Sequence, residues 1–455
     1  MSASLSVRPS RDWRILAAAA TVVVLALVSF RLSWAATYPA AWKLPLDQVL
    51  TTWLNAVVSQ ISFATRAMAS VLEAPLVLVT GLLVKGLTLP AWAGAIALPP
   101  FSWLGIAGVA VWAGYQAGGF RLAALQAAGC AYLLLFGQWD GAMLTLSSVL
   151  VCVPIAIAIG LLLGVLAHVR PDVNRWLVSP GLDLMQTVPA FAYLIPTLLL
   201  FGFGPVAAMI ATVIFAMPPM ARVTTLVLDR APVEIQELAT MIGCSRRQAI
   251  WRILLPSQRP MLLVGLNQTV MMTLNMVIIA SMIGAGGLGF DVLRSLRQLD
   301  IDRGFVSGAA IVVIAIMLDR LGAAIATRAR PDAAHAQRWR SAAALPVALL
   351  LATTVLGTQV GWLAKFPDAL RLTTGGTLNA TVGRINLHFF DSMEALRIFT
   401  LKTFMNPIKF LLADMPWLLL VGLVTLVAYA VGGARLALLS VLVLGFCLVT
   451  GLWDK

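Results

Sequence analysis

A chain of 455 residues that is 60% hydrophobic and only 11% charged lies far from soluble proteins, which carry about 25% charged residues. At a mean hydropathy of +0.92 it would leave too much apolar surface on any water-facing fold, which excludes a soluble enzyme, a secreted disulfide scaffold and a disordered tail. The formal net charge of +13 invites a nucleic-acid reading, but the arginines sit in short loops between apolar runs and form no separate basic domain.

In chain order, the first apolar run is Ile15 to Phe30, preceded by Arg8, Arg11 and Arg14. It is long for a signal peptide, Arg31 follows it directly and further spans come later, so a retained first helix with a cytoplasmic N-terminus is expected. Residues 36–101 are broken by Lys85, Pro90 and Pro99-Pro100, and the short run from Ala74 to Val84 suits an interfacial amphipathic helix. Clear spans follow at roughly Trp103–Gln116, Leu122–Gly137, Ala142–Leu166, Leu177–Phe201, Val206–Val227, Met261–Ile283, Phe305–Ile325 and Ala342–Gly357, with two more at Trp417–Val431 and Leu436–Thr450. The chain is therefore expected to be an all-α, polytopic integral membrane protein with about nine to twelve transmembrane helices. The parts expected are 1–101 (first helix and periplasmic or interfacial region), 102–327 (the core), 328–357 (a cytoplasmic linker and a helix) and 358–455. No metal site is expected: the three histidines are scattered, and the four cysteines form no CxxC pair.

Charge sets the orientation. The loops 168–175, 222–259 and 328–340 carry two, six and four arginines, an excess over their acids, and threading the spans puts all three on the side of the N-terminus. The loop Phe290–Gly304 balances three arginines with Asp291, Asp300 and Asp302 and falls outside, with the charge alternation that any solvated loop shows. The long segment 358–416 also falls outside despite its basic excess, near the length at which the rule weakens.

The chain repeats itself. Laid without gaps at an offset of 314, residues 103–140 match 417–454 at 14 of 38 positions, including Trp103 with Trp417, Tyr115 with Tyr429, Gly118-Gly119 with Gly432-Gly433 and Trp139-Asp140 with Trp453-Asp454. Shared apolar bias would give roughly one match in ten. The last hundred residues thus restate the preamble of the core, and a longer relative is expected to fuse two cores in one chain.

The stretch 232–256 carries the most specific pattern: Glu237-Leu238-Ala239, three residues, Gly243, nine residues, Ile253, one residue, Leu255-Pro256. It reads as a helix, a glycine break and a second helix, with Ser245 as N-cap and Gln248 completing a capping box. Ala249, Ile250, Ile253 and Leu254 share one side of the second helix and are expected to fill a groove on a cytosolic partner. Further on, Gly284, Gly286 and Gly289 spell GxGxxG, but behind a long apolar span and on the outer side, so a flexible turn at a pathway mouth is expected rather than a dinucleotide site; Gly287 belongs to the same turn.

The loop resembles the EAA loop of ATP-binding-cassette importer permeases, with Leu238 in place of its first alanine. Asp183-x-Met185-Gln186-Thr187-x-Pro189-Ala190-Phe191, Asn267-Gln268, the run Val277–Gly289 and Leu318-Asp319-Arg320 resemble the permease subunit of glycine betaine/proline betaine importers, over about residues 139–325. This resemblance implies a type I importer fold in a bacterial inner membrane, surrounded by membrane lipid. It also implies a cytosolic ATPase dimer, a periplasmic substrate-binding protein and a second permease core, from a homodimer or another subunit. Glu237, Ala239, Gly243, Ile253, Leu255 and Pro256 match the motif that docks on the ATPase. No Walker A sequence occurs, so ATP and Mg would be used by that partner; the chain binds no cofactor, catalyses no reaction and takes no nucleic acid.

Gln186, Thr187, Pro189, Phe191 and Tyr193 form a polar and aromatic cluster at a proline break in a span, and with Asn267 and Asn275 they are candidates to line a translocation pathway. Phe191 and Tyr193 could hold a quaternary ammonium by cation–π attraction, or could equally be packing around Pro189. The expected substrates are betaine-like osmolytes: glycine betaine, proline betaine, choline or proline. A permease for another small amine or amino acid, and an ATP-independent osmotically gated channel, stand as alternatives.

Overall fold

The computed structural model describes Val24 and residues 38–88, 97–328, 333–372, 376–413 and 415–454. The first apolar run, apart from Val24, lies outside them. The described chain forms two compact units: Ile61–Thr381, and the described residues up to Gln60 with those from Val382 on.

The architecture is all-α, because inside a bilayer each backbone N–H and C=O needs a partner within the chain and a helix supplies one locally. The elements are α1 (Leu46–Thr80), α2 (Trp103–Gly118), α3 (Phe120–Leu135) and α4 (Trp139–Val169). A bent pair follows, α5 (Pro171–Thr187) and α6 (Ala190–Phe201), then α7 (Pro205–Asp229). Next come α8 (Val233–Met241), α9 (running in succession through Arg246–Gln248, Ala249–Leu254 and Leu255–Ser257), α10 (Arg259–Ala280) and α11 (Leu288–Gln298). The chain continues through α12 (Ile301–Arg328), α13 (Ala333–Gln359), α14 (Thr377–Thr400), α15 (Asn406–Ala413) and α16 (Trp417–Val449). The exception is an antiparallel ladder of two residues a side, β1 (Leu87–Thr88) with β2 (Ala97–Leu98).

Among the described residues six helices are long and apolar enough to cross a membrane, or seven if the bent pair is one span. The expected nine to twelve also took in the run at 15–30 and three short helices, α2, α3 and the apolar end of α13. One expectation is corrected. The Ala74 run belongs to a stretch, Thr65–Lys85, that is 21 residues long and apolar enough to span. Glu73 ended the uninterrupted apolar run without ending the helix, so the length argument for an interfacial segment does not hold.

In the larger unit, Leu133, Met143, Leu274, Leu288 and Ile314 join α3, α4, α10, α11 and α12 around one buried cluster. Small residues let α4 approach α7: a Cβ on Gly160 would lie 2.7 Å from the Met217 carbonyl oxygen, and one on Gly164 would lie 2.5 Å from Thr224 Cβ. This is the small-xxx-small crossing by which helices associate where water cannot drive them together. At their N-termini, α12 and α14 cap one another. The Asn379 side chain accepts from the Ile301 amide at 2.9 Å, and Asp302 accepts from the Asn379 amide at 3.1 Å. Each N-terminus so fills an orphan donor of the other.

The two repeats share a backbone detail. Gly119 separates α2 from α3 at φ 73°, ψ −162°, and Gly433 breaks α16 at φ 70°, ψ −164°. The two spans expected at 417–450 are thus the two arms of α16. Their partners at the far end also agree, with Gly137 at φ 66° and Gly451 at φ 72°.

Candidate functional site

Two places hold the residues singled out by sequence: the loop between α7 and α10, and the break between α5 and α6.

The loop is rigidly built. α8 ends in a Schellman motif, with Gly243 at φ 76°, its amide donating to the Thr240 carbonyl at 3.0 Å and the Cys244 amide donating to the Ala239 carbonyl at 3.0 Å. Ser245 then caps α9: its hydroxyl accepts from the Gln248 amide at 3.3 Å, and Gln248 Oε1 accepts from the Ser245 amide at 2.9 Å. The expected glycine break and capping box are both present. Leu255-Pro256 does not end α9, since Pro256 sits in the first turn of a further short segment that runs to Ser257.

Half of the expected apolar side of α9 is taken up within the chain, while Ala249 and Ile253 are only half-buried. Ile250 and Leu254 are buried, with Leu228, Ala231 and Leu255, in a cluster that fastens α9 to the end of α7. Open apolar surface is found at the end of α8 and the turn after it, where Leu238, Met241 and Ile242 stand out, Met241 at 85% exposure, and at Trp251 of α9. Of the motif residues, Ala239 and Leu255 are buried and Ile253 and Pro256 half-buried, while Glu237 and Gly243 are exposed. Sequence reasoning missed Met241 and Ile242 because the capping and glycine pattern marks the turn, not which side of it stays uncovered.

At the break, the chain bends by 116° between α5 and α6. The single span expected over Leu177–Phe201 is therefore two arms. Val188 and Pro189 are extended, as a residue before proline and a proline at ψ 142° must be. Pro189 also lacks the N–H that a continuous helix would offer to the Met185 carbonyl. The Tyr193 hydroxyl donates to that carbonyl instead, and the Tyr193 ring packs edge-on against Phe215 at 5.9 Å. Tyr193 is thus spent on structure, whereas Phe191, Gln186, Thr187 and Pro189 are left uncovered by the chain. Asn275 is likewise uncovered on α10, but Asn267 is turned to a helix crossing, where a Cβ on Gly322 of α12 would lie 2.9 Å from its Oδ1.

Polar ties join α4, α5, α7 and α9 near the loop. Arg222, counted with the basic loop from sequence, sits within α7, and its guanidinium donates to Asp183 of α5. His168 Nδ1 lies 2.6 Å from Asp229 Oδ1, and Arg246 donates to the Val169 carbonyl at 3.2 Å.

The glycine turn after α10 is tightly packed. Gly284, Gly286 and Gly287 all have positive φ, and a Cβ on Gly287 would lie 2.6 Å from Thr145 Oγ1, which accepts from the Leu288 amide at 3.1 Å. Gly289 meets the Ile278 carbonyl just as closely. Beside the turn a polar cavity of about 520 Å³ is lined by Gln138, Asp291, Arg294, Asp300, Arg303 and Asn379, among others. Burial pushes the Asp291 carboxyl above the usual carboxylate range, and nearby Arg294 opposes that shift.

Residues 156–331, which contain both places, match the family described as "Binding-protein-dependent transport system inner membrane component". The trimethylamine N-oxide transport system permease protein TmoV of Ruegeria pomeroyi is 30% identical over 452 residues, 95% of this chain and 67% of that protein. TmoV of Pelagibacter ubique is 32% identical over 373 residues, 79% of this chain and 51% of its own length. The glycine betaine/proline betaine transport system permease protein ProW of Escherichia coli is 43% identical over 194 residues, 43% of this chain and 54% of ProW. The chain spans about half to two thirds of the length of these curated relatives. With its six apolar helices it is a multi-pass membrane protein, and it belongs to the family of binding-protein-dependent transport system inner membrane components, among permeases similar to those of the trimethylamine N-oxide and glycine betaine systems.

Proposed function

We propose that this chain is the permease subunit of an ATP-driven importer for small methylated amines, with its N-terminus in the cytoplasm of a bacterial cell. The observation that carries the reading is the loop from Val233 to Ser257, a pre-formed helix–turn–helix that presents Glu237, Leu238, Met241 and Ile242 from a buried base. Such a surface suits helix-in-groove docking on a cytosolic ATPase dimer. Ala239, Gly243, Ile253, Leu255 and Pro256 shape it rather than touch the partner. ATP and Mg are used by that ATPase, a periplasmic binding protein delivers the solute, and a second permease core completes the pathway.

The uncovered face of the bend, with Gln186, Thr187, Pro189 and Phe191, and Asn275 on α10 line that pathway in this reading; Asn267 and Tyr193 hold its walls. The turn at Gly284, Gly286, Gly287 and Gly289 stands at the outer gate and acts by tight packing. The relatives' names widen the substrate class beyond betaine and choline to trimethylamine N-oxide. Both kinds of solute carry a trimethylated nitrogen, which an aromatic face such as Phe191 can attract.

The test is to co-express the chain with candidate ABC ATPases and to reconstitute any complex with a candidate substrate-binding protein. The native chain retains the ATPase and takes up radiolabelled trimethylamine N-oxide or glycine betaine only with ATP. Met241→Asp and Gly243→Trp release the ATPase. Uptake without ATP by a chain that retains no ATPase would replace this reading with the gated channel.

A further inference from the structure

Asp183 and Arg222 form a charged pair between two apolar segments, α5 and α7. Ionisable side chains in spans are costly, so a pair kept there marks a functional contact by default. Its surroundings say which. Arg222 follows Ala221 and Asp183 follows Leu182, and Ala221 and Leu182 belong to one buried cluster, so the apolar and the charged contacts share one register. The end of α7 packs with α9 through Leu228, Ala231, Ile250, Leu254 and Leu255, and Ile235 of α8 packs against the same cluster. His168 and Asp229 tie that body back to α4. Towards the bend, among the described residues, the ion pair that joins α7 to α5 is Arg222 with Asp183.

Beyond the pair the bend itself is braced. The Tyr193 hydroxyl bonds the Met185 carbonyl across the break, so a shift of α5 carries the start of α6 and Phe191 with it. An apolar contact can slide, but a guanidinium holds a carboxylate in a narrow geometry, so this pair, though both side chains are exposed, fixes the register of α5 on α7. We infer that the Asp183–Arg222 pair is the link by which displacement of the 233–257 loop reaches the bend at Pro189, which makes both of them positioning residues of the transport cycle. The inference rests on the coupling role proposed for that loop.

The test uses the full complex with its ATPase and reads movement rather than transport alone. Cys244 and Cys447 are replaced by serine, and Phe191→Cys serves as the reporter for maleimide labelling, at rest and after vanadate trapping. With Asp183 and Arg222 in place, trapping changes the labelling rate several-fold. In Asp183→Asn and in Arg222→Gln the ATPase still copurifies and hydrolyses ATP, but the change in labelling is lost and uptake per ATP falls several-fold. The exchange Asp183→Arg with Arg222→Asp restores at least part of both. A trapping response that persists in both single variants overturns the inference, as does an exchange no better than either single. Where a single variant fails to reach the membrane, Asp183→Glu and Arg222→Lys keep the charges, and their response must lie between native and neutral for the link to stand. Loss of ATPase copurification from the native chain would instead overturn the coupling role, and this inference with it.

Discussion

The carbonyl of Met185 would bond the amide four residues on in an unbroken helix, but that residue is Pro189, and the Tyr193 hydroxyl supplies the donor instead. The compensation can be measured. Tyr193→Phe is expected to cost about 1 kcal/mol, the usual loss when one hydrogen-bond partner is removed, read as a lowered unfolding midpoint in detergent. In a Pro189→Ala background residue 189 regains its N–H, so the same change costs measurably less. Equal costs in the two backgrounds would mean that the hydroxyl does not answer the missing amide. The same contacts give Tyr193 a packing role, through its hydroxyl and its T-shaped contact with Phe215, while Phe191 is the more exposed of the two rings.

At the level of elements, the loop shows how one motif divides into a frame and a contact surface. The Schellman ending at Gly243 and the capping box at Ser245 fix the angle between α8 and α9, and the buried face of α9 fixes the pair to α7. Removing the cap with Ser245→Ala is expected to cost about 1 kcal/mol of local helix stability. That loosens the presentation of Met241, and less ATPase should copurify while the yield of folded chain stays unchanged. An unaltered ATPase ratio would show that the frame does not depend on the cap. The capping pattern was readable because Ser245 and Gln248 interact within four residues of sequence. Which side of α9 is covered was not, because Leu228 lies more than twenty residues before Ile250 and no local rule links them.

For the molecule as a whole, close helix crossings stand in for the hydrophobic drive that a bilayer removes. Gly164→Ala, whose Cβ would lie 2.5 Å from Thr224 Cβ, is expected to cost about 1–3 kcal/mol by overpacking, measured by thermal unfolding in detergent. Gly308→Ala on α12, with nothing within 4 Å of its Cβ, is the control and should leave the midpoint unchanged or slightly raised. The repeat also shows at this scale. Two stretches at an offset of 314 keep the same left-handed glycine break, since without a Cβ the residue meets no steric penalty at that φ. Their surroundings differ, however: Ala117 is 1% exposed and its counterpart Val431 is 80% exposed.

By itself the sequence determined the membrane class, the long helices, the proline and glycine breaks and the helix–turn–helix loop. These follow from runs of apolar residues and from hydrogen bonds between near neighbours, which need no knowledge of the rest of the chain. It stopped short at Ala74, where a single Glu73 hid a helix that continues. Only the tertiary structure decided that Ile250 and Leu254 point inward, that Tyr193 braces a bend of 116°, that Asn267 faces Gly322 and that Arg222 of α7 meets Asp183 of α5. Each of these depends on which face of a helix another helix covers. In an all-round apolar span the sequence carries almost no periodic signal of that choice, because lipid and protein interior favour the same side chains.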